Sequence, residues 1–259
     1  MINDIFHFLT TSANWHGNEG IPTRTWEHVQ YSAIALAIGF VIALPIGLLI
    51  GHTGKGAGVV TGVANSLRAL PVMGVLILLV VWISPHIHGK GDAAYLIPSE
   101  IVLVLLAVPP ILSNTYAGVQ NVDPAVRDAA KGMGMTGWQV LRRVEFPCAL
   151  QLIIAGVRSA ALQVVATATI VSFVSLGGLG RFVFDGLGQR DYPQMASGAL
   201  LLAVLAMLVD FVLAGVQRYA VSRGVSGRYA KSGGSGPAAA GARYGAVNAT
   251  APEPGSAAV

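Results

Sequence analysis

The sequence predicts an all-α polytopic membrane protein of about five transmembrane helices, with the N-terminus outside and the C-terminus inside. Three observations carry this. Of 259 residues, 54% are hydrophobic and only 11% charged, where a soluble domain carries about 25% charged residues; the mean hydropathy is +0.64. Runs of more than about 18 predominantly apolar residues argue against a soluble helical protein with a very apolar core. Lysine and arginine also gather on one set of connections, which the positive-inside rule places in the cytoplasm.

The spans follow in order: about Gln30–Ile50, Ala57–Ile83, Tyr95–Gly118, Pro147–Val174 and Tyr192–Tyr219. Each is long enough to cross roughly 30 Å of hydrocarbon as a helix. Arg68 and Pro71 interrupt the second. It reads as one long kinked helix, with a separate Ala57–Leu67 element as the alternative, because neighbours or water can satisfy carbonyls freed by a proline. Lys55, Arg127, Lys131, Arg142 and Arg143 lie on one side, with Arg218, Arg223, Arg228, Lys231 and Arg243 at or beyond the last span. Only Arg24, Lys90, Arg181 and Arg190 lie on the other, and Arg68 and Arg158 fall within spans.

Three regions result. Residues 1–28 form an extracytoplasmic segment, 29–219 a transmembrane domain with a cytoplasmic loop at 119–147, and 220–259 a cytoplasmic tail. Met1–Thr11 lacks the basic leader and long apolar core of a cleavable signal. Ile2, Ile5, Phe6 and Leu9 suggest a short amphipathic helix on the membrane surface, against a loosely ordered end. The tail, rich in Gly, Ala, Ser and Pro, buries too little apolar surface to offset its ordering entropy and is expected to be disordered.

Several functions are disfavoured. The single cysteine, Cys148, excludes an internal disulfide framework or a thiolate cluster within the chain. The net charge of +4 sits in membrane-flanking loops, which does not suit nucleic acid. No Ser/His/Asp constellation stands out, and Gly177–Gly180 lacks the lysine of a phosphate-cradling loop. No enzyme activity, cofactor or metal is therefore expected. His86-Ile87-His88 reads as a solvated loop rather than a weak metal site.

The loop Val119–Pro147 is long and structured-looking. Asp123 is a good N-cap, with Pro124 at the first helical position, for a short helix over Ala125–Lys131. Gly132, Gly134 and Gly137 permit a tight reversal, and a second short helix, about Trp138–Val144, leads to Pro147. Such a helix–turn–helix is a compact knob, which Ala129 and Ala130 let a partner approach closely; the alternative is an interfacial amphipathic loop.

The spacing Asp128-Ala129-Ala130, three residues, Gly134, nine residues, Val144-Glu145-Phe146-Pro147 resembles the EAA loop of bacterial ABC-importer permeases. Asp128, Val144 and Phe146 stand where that motif has Glu, Ile and Leu. Asn114-Thr115-Tyr116-x-Gly118, Val122-Asp123-Pro124, Gly132-Met133-Gly134-Met135 and the outer segment Ser175–Gly180 are similar to the branch carrying glycine betaine, choline, carnitine or proline. The resemblance covers roughly Trp26–Arg218. It implies a type I, methionine-importer-like permease fold in the plasma (inner) membrane. Asp128, Ala129, Ala130, Gly134, Val144, Phe146 and Pro147 would then seat in a separate ATPase. It also implies a second permease chain, identical or paralogous, and an extracytoplasmic solute-binding protein. ATP and Mg would be used by the partner.

Within the spans, Arg68, Arg158 and Asp210 either line the path or are held by snorkelling or an inner-side ion pair. Asp210 reads as the one intramembrane carboxylate. Gln163, Thr167, Thr169, Ser172 and Ser175, with Asn114, are candidates for the translocation path, or else hydrogen-bond neighbouring helices. Gly47-x-x-x-Gly51 and Gly58-x-x-x-Gly62 are expected to allow close helix contacts, and Pro45, Pro71, Pro109 and Pro110 to kink or interrupt their helices. An ion-coupled secondary transporter is disfavoured because no inverted repeat is visible. An importer for methionine or taurine is the alternative within the family.

Overall fold

The computed structural model describes residues 2–87, 93–174 and 176–220. Every regular element among them is helical. The helices are α1 (Ile2–Thr10), α2 (Ile21–Thr53), α3 (Ala57–Ala69), α4 (Val72–Ile83), α5 (Ala93–Gln120), α6 (Pro124–Gly132), α7 (Gly137–Val140), α8 (Phe146–Val171), α9 (Gly180–Gln189) and α10 (Tyr192–Ala220). Four apolar segments are long enough to cross a membrane: α2, α5, α10 and the continuous run Gly137–Val174 that contains α8. The expected disordered tail lies outside the described residues, apart from Ala220.

The second span is not the single kinked helix expected. α3 and α4 meet at 87° across the Leu70–Pro71 break. A proline pushes the residue before it out of helical geometry, and Leu70 is extended, with φ −69° and ψ 134°. Pro45 and the Pro109-Pro110 pair, by contrast, lie inside the unbroken helices α2 and α5.

α2 and α5 run parallel and touch along a stripe of small residues four apart. A Cβ built on Gly39 would stand 2.7 Å from Ala107 Cβ, one on Gly47 2.7 Å from Thr115 Cβ, and one on Gly51 2.6 Å from Val119 Cβ. These distances are below van der Waals contact, so hydrogen is the only tolerable side chain there. α8 packs antiparallel on another face of α5, with Gly118 against Ala149 and Gly156 against Asn114 and the Pro110 carbonyl. Leu103, Ile111, Val164 and Val171 fill the interior between the three helices. A Cβ at Gly58 or Gly62 would meet nothing within 4 Å among the described residues of this chain.

α10 lies against α8 and α9 and turns large apolar side chains outward, with Phe211 71% and Val212 65% exposed. Val41 and Trp82 are as exposed on α2 and α4. Apolar surface on this scale suits hydrocarbon rather than water. α1 is a short helix whose Phe8 ring meets Phe182 of α9 edge-on at 5.8 Å, leaving Ile2 and Phe6 outward.

Gly47→Ala is expected to lower the thermal midpoint of the detergent-solubilised protein, because overpacking a tight contact costs about 1–3 kcal/mol. Gly62→Ala, which meets open space, is expected to leave it unchanged or slightly raised. Parallel melting curves of the two variants check this.

Candidate docking loop and translocation path

α6 begins as its sequence dictates. Asp123 Oδ1 accepts from the Ala125 N–H at 2.9 Å, and Pro124 occupies the first turn, where no N–H is needed. Of the three loop glycines only Gly134 takes a left-handed conformation, with φ +84°. Thr136 then starts α7 with a capping box: its N–H donates to Gln139 Oε1 at 2.8 Å, and its Oγ1 accepts from the Gln139 N–H at 3.4 Å.

The expected second helix does not stop before the fourth span. α7 runs through a π turn, Leu141–Glu145, directly into α8. A proline ring ordinarily collides with the carbonyl four residues back. The wider π turn makes room for Pro147 without a break.

The seven motif residues divide between two faces. Asp128, Ala129, Gly134 and Pro147 are exposed, whereas Ala130 is 2% exposed and packs inward. Phe146 packs on Val119, Ala149 and Ile153, and Val144 is half-buried. Ala130, Val144 and Phe146 therefore hold the knob to the bundle, and the others are open to a partner. Val126, Met133 and Trp138, outside the motif, add an exposed apolar surface, with Met133 73% and Trp138 67% exposed.

Sequence reasoning missed Glu145. It is 1% exposed. Its Oε2 lies 2.6 Å from His52 Nδ1 in the last turn of α2, and its Oε1 3.0 Å from Arg127 Nε on α6. Arg127 Nη2 also donates to the Val119 carbonyl near the end of α5. Gln120 Nε2 donates to the Gly51 carbonyl at 3.0 Å. The only available signal was an acidic residue in an otherwise apolar helix start.

The path candidates do not converge on one surface. Asn114 Nδ2 donates to the Pro110 carbonyl at 2.8 Å, and Thr167 Oγ1 to the Gln163 carbonyl at 2.7 Å. Ser172 is buried and donates to the Gly177 carbonyl at 2.8 Å. Ser175 lies outside the described residues, as does His88. Gln163 and Thr167 share a face of α8 with Ser159 and Ala166, by helical spacing; Thr169 and Ser172 point elsewhere around that helix.

Arg158 and Asp210 form a two-pronged ion pair between α8 and α10, at 2.5 and 2.7 Å. Arg68 Nη2 donates to Ser113 Oγ at 3.1 Å. Asp210 is not the one intramembrane carboxylate: Glu100 lies in α5, with both oxygens shielded from solvent and no hydrogen bond. It falls within the third span as read from sequence and was overlooked there.

At the opposite end from α6, the N-terminal part of α2 holds the glycine-rich segment before α9. Glu27 Oε2 accepts from the Gly178 N–H at 2.8 Å, and from Arg24 at 3.1 Å. A Cβ on Gly177 would come within 1.9 Å of that carboxylate, and Gly178 has φ +93°. His28 Nε2 pairs with the Val165 carbonyl at 2.9 Å. Beside this lies a polar cleft of about 450 Å³ whose walls include Glu19, Arg24, Arg181, Asp185 and Gln194.

Residues 33–225 match the family described as "Binding-protein-dependent transport system inner membrane component". The chain is 34% identical over 226 residues to the glycine betaine/carnitine/choline transport system permease protein OpuCB of Bacillus subtilis (strain 168), covering 87% of this chain and 98% of that one. It is 36% identical over 190 residues to the carnitine transport permease protein OpuCB of Listeria monocytogenes, covering 73% and 83%. A chain of the MetNI methionine ABC transporter in an inward-facing conformation shares its fold, with a TM-score of 0.65 at 23% identity over 76% of this chain and 94% of that one.

Asp210→Asn is expected to lower the yield of folded protein, because it leaves Arg158 without its counter-charge at membrane depth. The exchange Arg158→Asp with Asp210→Arg is expected to recover part of that yield. Size-exclusion profiles of the three proteins read it out.

Proposed function

This chain belongs to the binding-protein-dependent transport-system inner-membrane components, and from that premise we propose that it is the permease subunit of an ATP-driven importer for a small compatible solute: glycine betaine, choline, carnitine or proline. The family places it as a multi-pass protein of the inner membrane. The observation that carries the reading is the loop Asp128–Pro147, which joins the family's spacing to an exposed, capped helix–turn–helix.

The loop faces the cytoplasm, in keeping with the excess of lysine and arginine on its side. A separate ATPase receives Asp128, Ala129, Gly134 and the apolar surface of Val126, Met133 and Trp138. ATP and Mg act there, not in this chain. Two permease chains, identical or paralogous, enclose the path between them. The end that carries α1 and α9 faces outward and meets a solute-binding protein, for which the cleft beside Arg24 and Arg181 offers a polar surface.

The solute class rests on the named substrates of the relatives. Quaternary ammonium groups are held by aromatic cages, and this chain is only 7% aromatic, with its aromatics scattered. Selectivity therefore lies mainly in the binding protein, and the permease is a weakly selective conduit.

Asp128→Lys combined with Gly134→Trp is expected to abolish uptake and co-purification of the ATPase while the chain stays at wild-type levels in the membrane. Survival of either overturns the docking assignment. Calorimetric titration of the cognate binding protein with betaine, choline, carnitine and proline, beside methionine and taurine, tests the cargo. Binding of the last two alone overturns the solute class.

A further inference from the structure

We propose that Glu145 is the joint through which movement of the docking loop reaches the membrane helices, acting as a positioning residue through its contacts with Arg127 and His52. The proposal rests on the docking reading above and adds to it the route by which force leaves the loop.

The carboxylate sits where four elements meet. Its own backbone is the last residue of the π turn and leads into α8. Arg127 comes from α6, the docking helix, and His52 from the last turn of α2. Arg127 also reaches the Val119 carbonyl of α5. Glu145 and Arg127 together thus tie α6 to all three helices of the core.

Burial makes the tie stiff. A buried carboxylate is costly unless its oxygens are matched, and at Glu145, 1% exposed, Oε2 lies 2.6 Å from His52 Nδ1 and Oε1 3.0 Å from Arg127 Nε, the latter a close charge contact rather than an aligned hydrogen bond. Removing a matching group leaves the remaining charge buried and unpaired, so the contacts resist being pulled apart one at a time. The rest of the connection is softer. α6 is joined to α5 by the short link Asn121–Asp123, and α7 reaches α8 through the π turn, a geometry in which a helix adjusts its register readily. A push on α6 without the ionic contacts would be absorbed in those two places.

The experiment uses the complete importer in proteoliposomes, with ATPase and binding protein. Solute taken up per ATP hydrolysed is measured for the wild type, Glu145→Gln and Glu145→Asp. Gln keeps the shape and removes the charge. Glu145→Gln is expected to keep the ATPase bound and hydrolysing at a similar rate, and to melt below wild type because Arg127 loses its counter-charge. Its uptake per ATP is expected to fall about tenfold, a typical scale for breaking a coupling network. Glu145→Asp, which retains the charge, is expected to recover part of the ratio. An unchanged ratio in Glu145→Gln overturns the proposal. So does equal loss of folding, hydrolysis and uptake in Gln and Asp variants, which marks a purely structural role. Retention of the ATPase by the Asp128→Lys, Gly134→Trp protein refutes the docking reading instead, whatever Glu145→Gln does.

Discussion

The close approach of α2 and α5 sets the terms for everything else in the bundle. In lipid there is no hydrophobic force to drive one apolar helix against another, so association depends on van der Waals fit and on hydrogen bonds between helices. Three glycines of α2 give that fit by letting Ala107, Thr115 and Val119 of α5 press against bare backbone. Gly118 and Gly156 repeat the device between α5 and α8. The three helices therefore behave as one body, in which a displacement of one end is felt at the other. The α3–α4 pair and α10 lie around this body, and α4 and α10 turn large apolar side chains outward.

Small residues supply closeness but no resistance to sliding along the seam. Polar contacts at its two ends supply that. At the α6 end, the Gly51 and Val119 carbonyls, His52, Arg127 and Glu145 lock the register of α2 against α5 and attach the loop to both. At the other end Glu27 and His28 of α2 hold the Gly178 amide and the Val165 carbonyl, which ties α2 not to α5 directly but to the segment before α9 and to α8, itself packed on α5. Each contact satisfies a polar group that would otherwise be buried at a cost. The glycine seam and the two polar ends are thus one construction: the seam removes freedom sideways, and the ends remove it lengthwise.

The sequence was legible where one local rule decides the outcome. Apolar run lengths located the crossing segments, and Asp123-Pro124 marked the start of α6. Pro71 marked an interruption, but its size did not follow, because a proline excludes helical geometry for Leu70 without fixing the direction of the next helix. The π turn was invisible because Leu141–Glu145 is a good helical sequence, and only the presence of Pro147 downstream favours the wider turn. Glu145 was hidden for a different reason. Its partners are 18 and 93 residues away, and nothing local shows that three helix ends meet there. Equally, a G-x-x-x-G pattern identifies a surface able to pack closely, so Gly47–Gly51 and Gly58–Gly62 read alike although, among the described residues, only the first meets a neighbouring helix.

The same logic of cost bears on the outward faces. α10 presents Phe211, Val212 and Leu208, side chains that hydrocarbon accepts freely. One face of α8 is different: Ser159 and Ala166 are exposed, and Gln163 and Thr167 are half-exposed beside them. An amide and hydroxyls gain nothing from acyl chains, and Thr167 relieves part of that cost by donating to its own helix at the Gln163 carbonyl. The Gln163 amide is too long and too polar for that economy alone. A face of small and polar side chains at membrane depth suits water or another helix far better than lipid. Since α8 follows directly on Glu145, a rotation of α8 passed on from the loop Val119–Pro147 would turn this face. The part of the molecule best suited to border a wet passage is therefore also the part to which the loop is most directly connected.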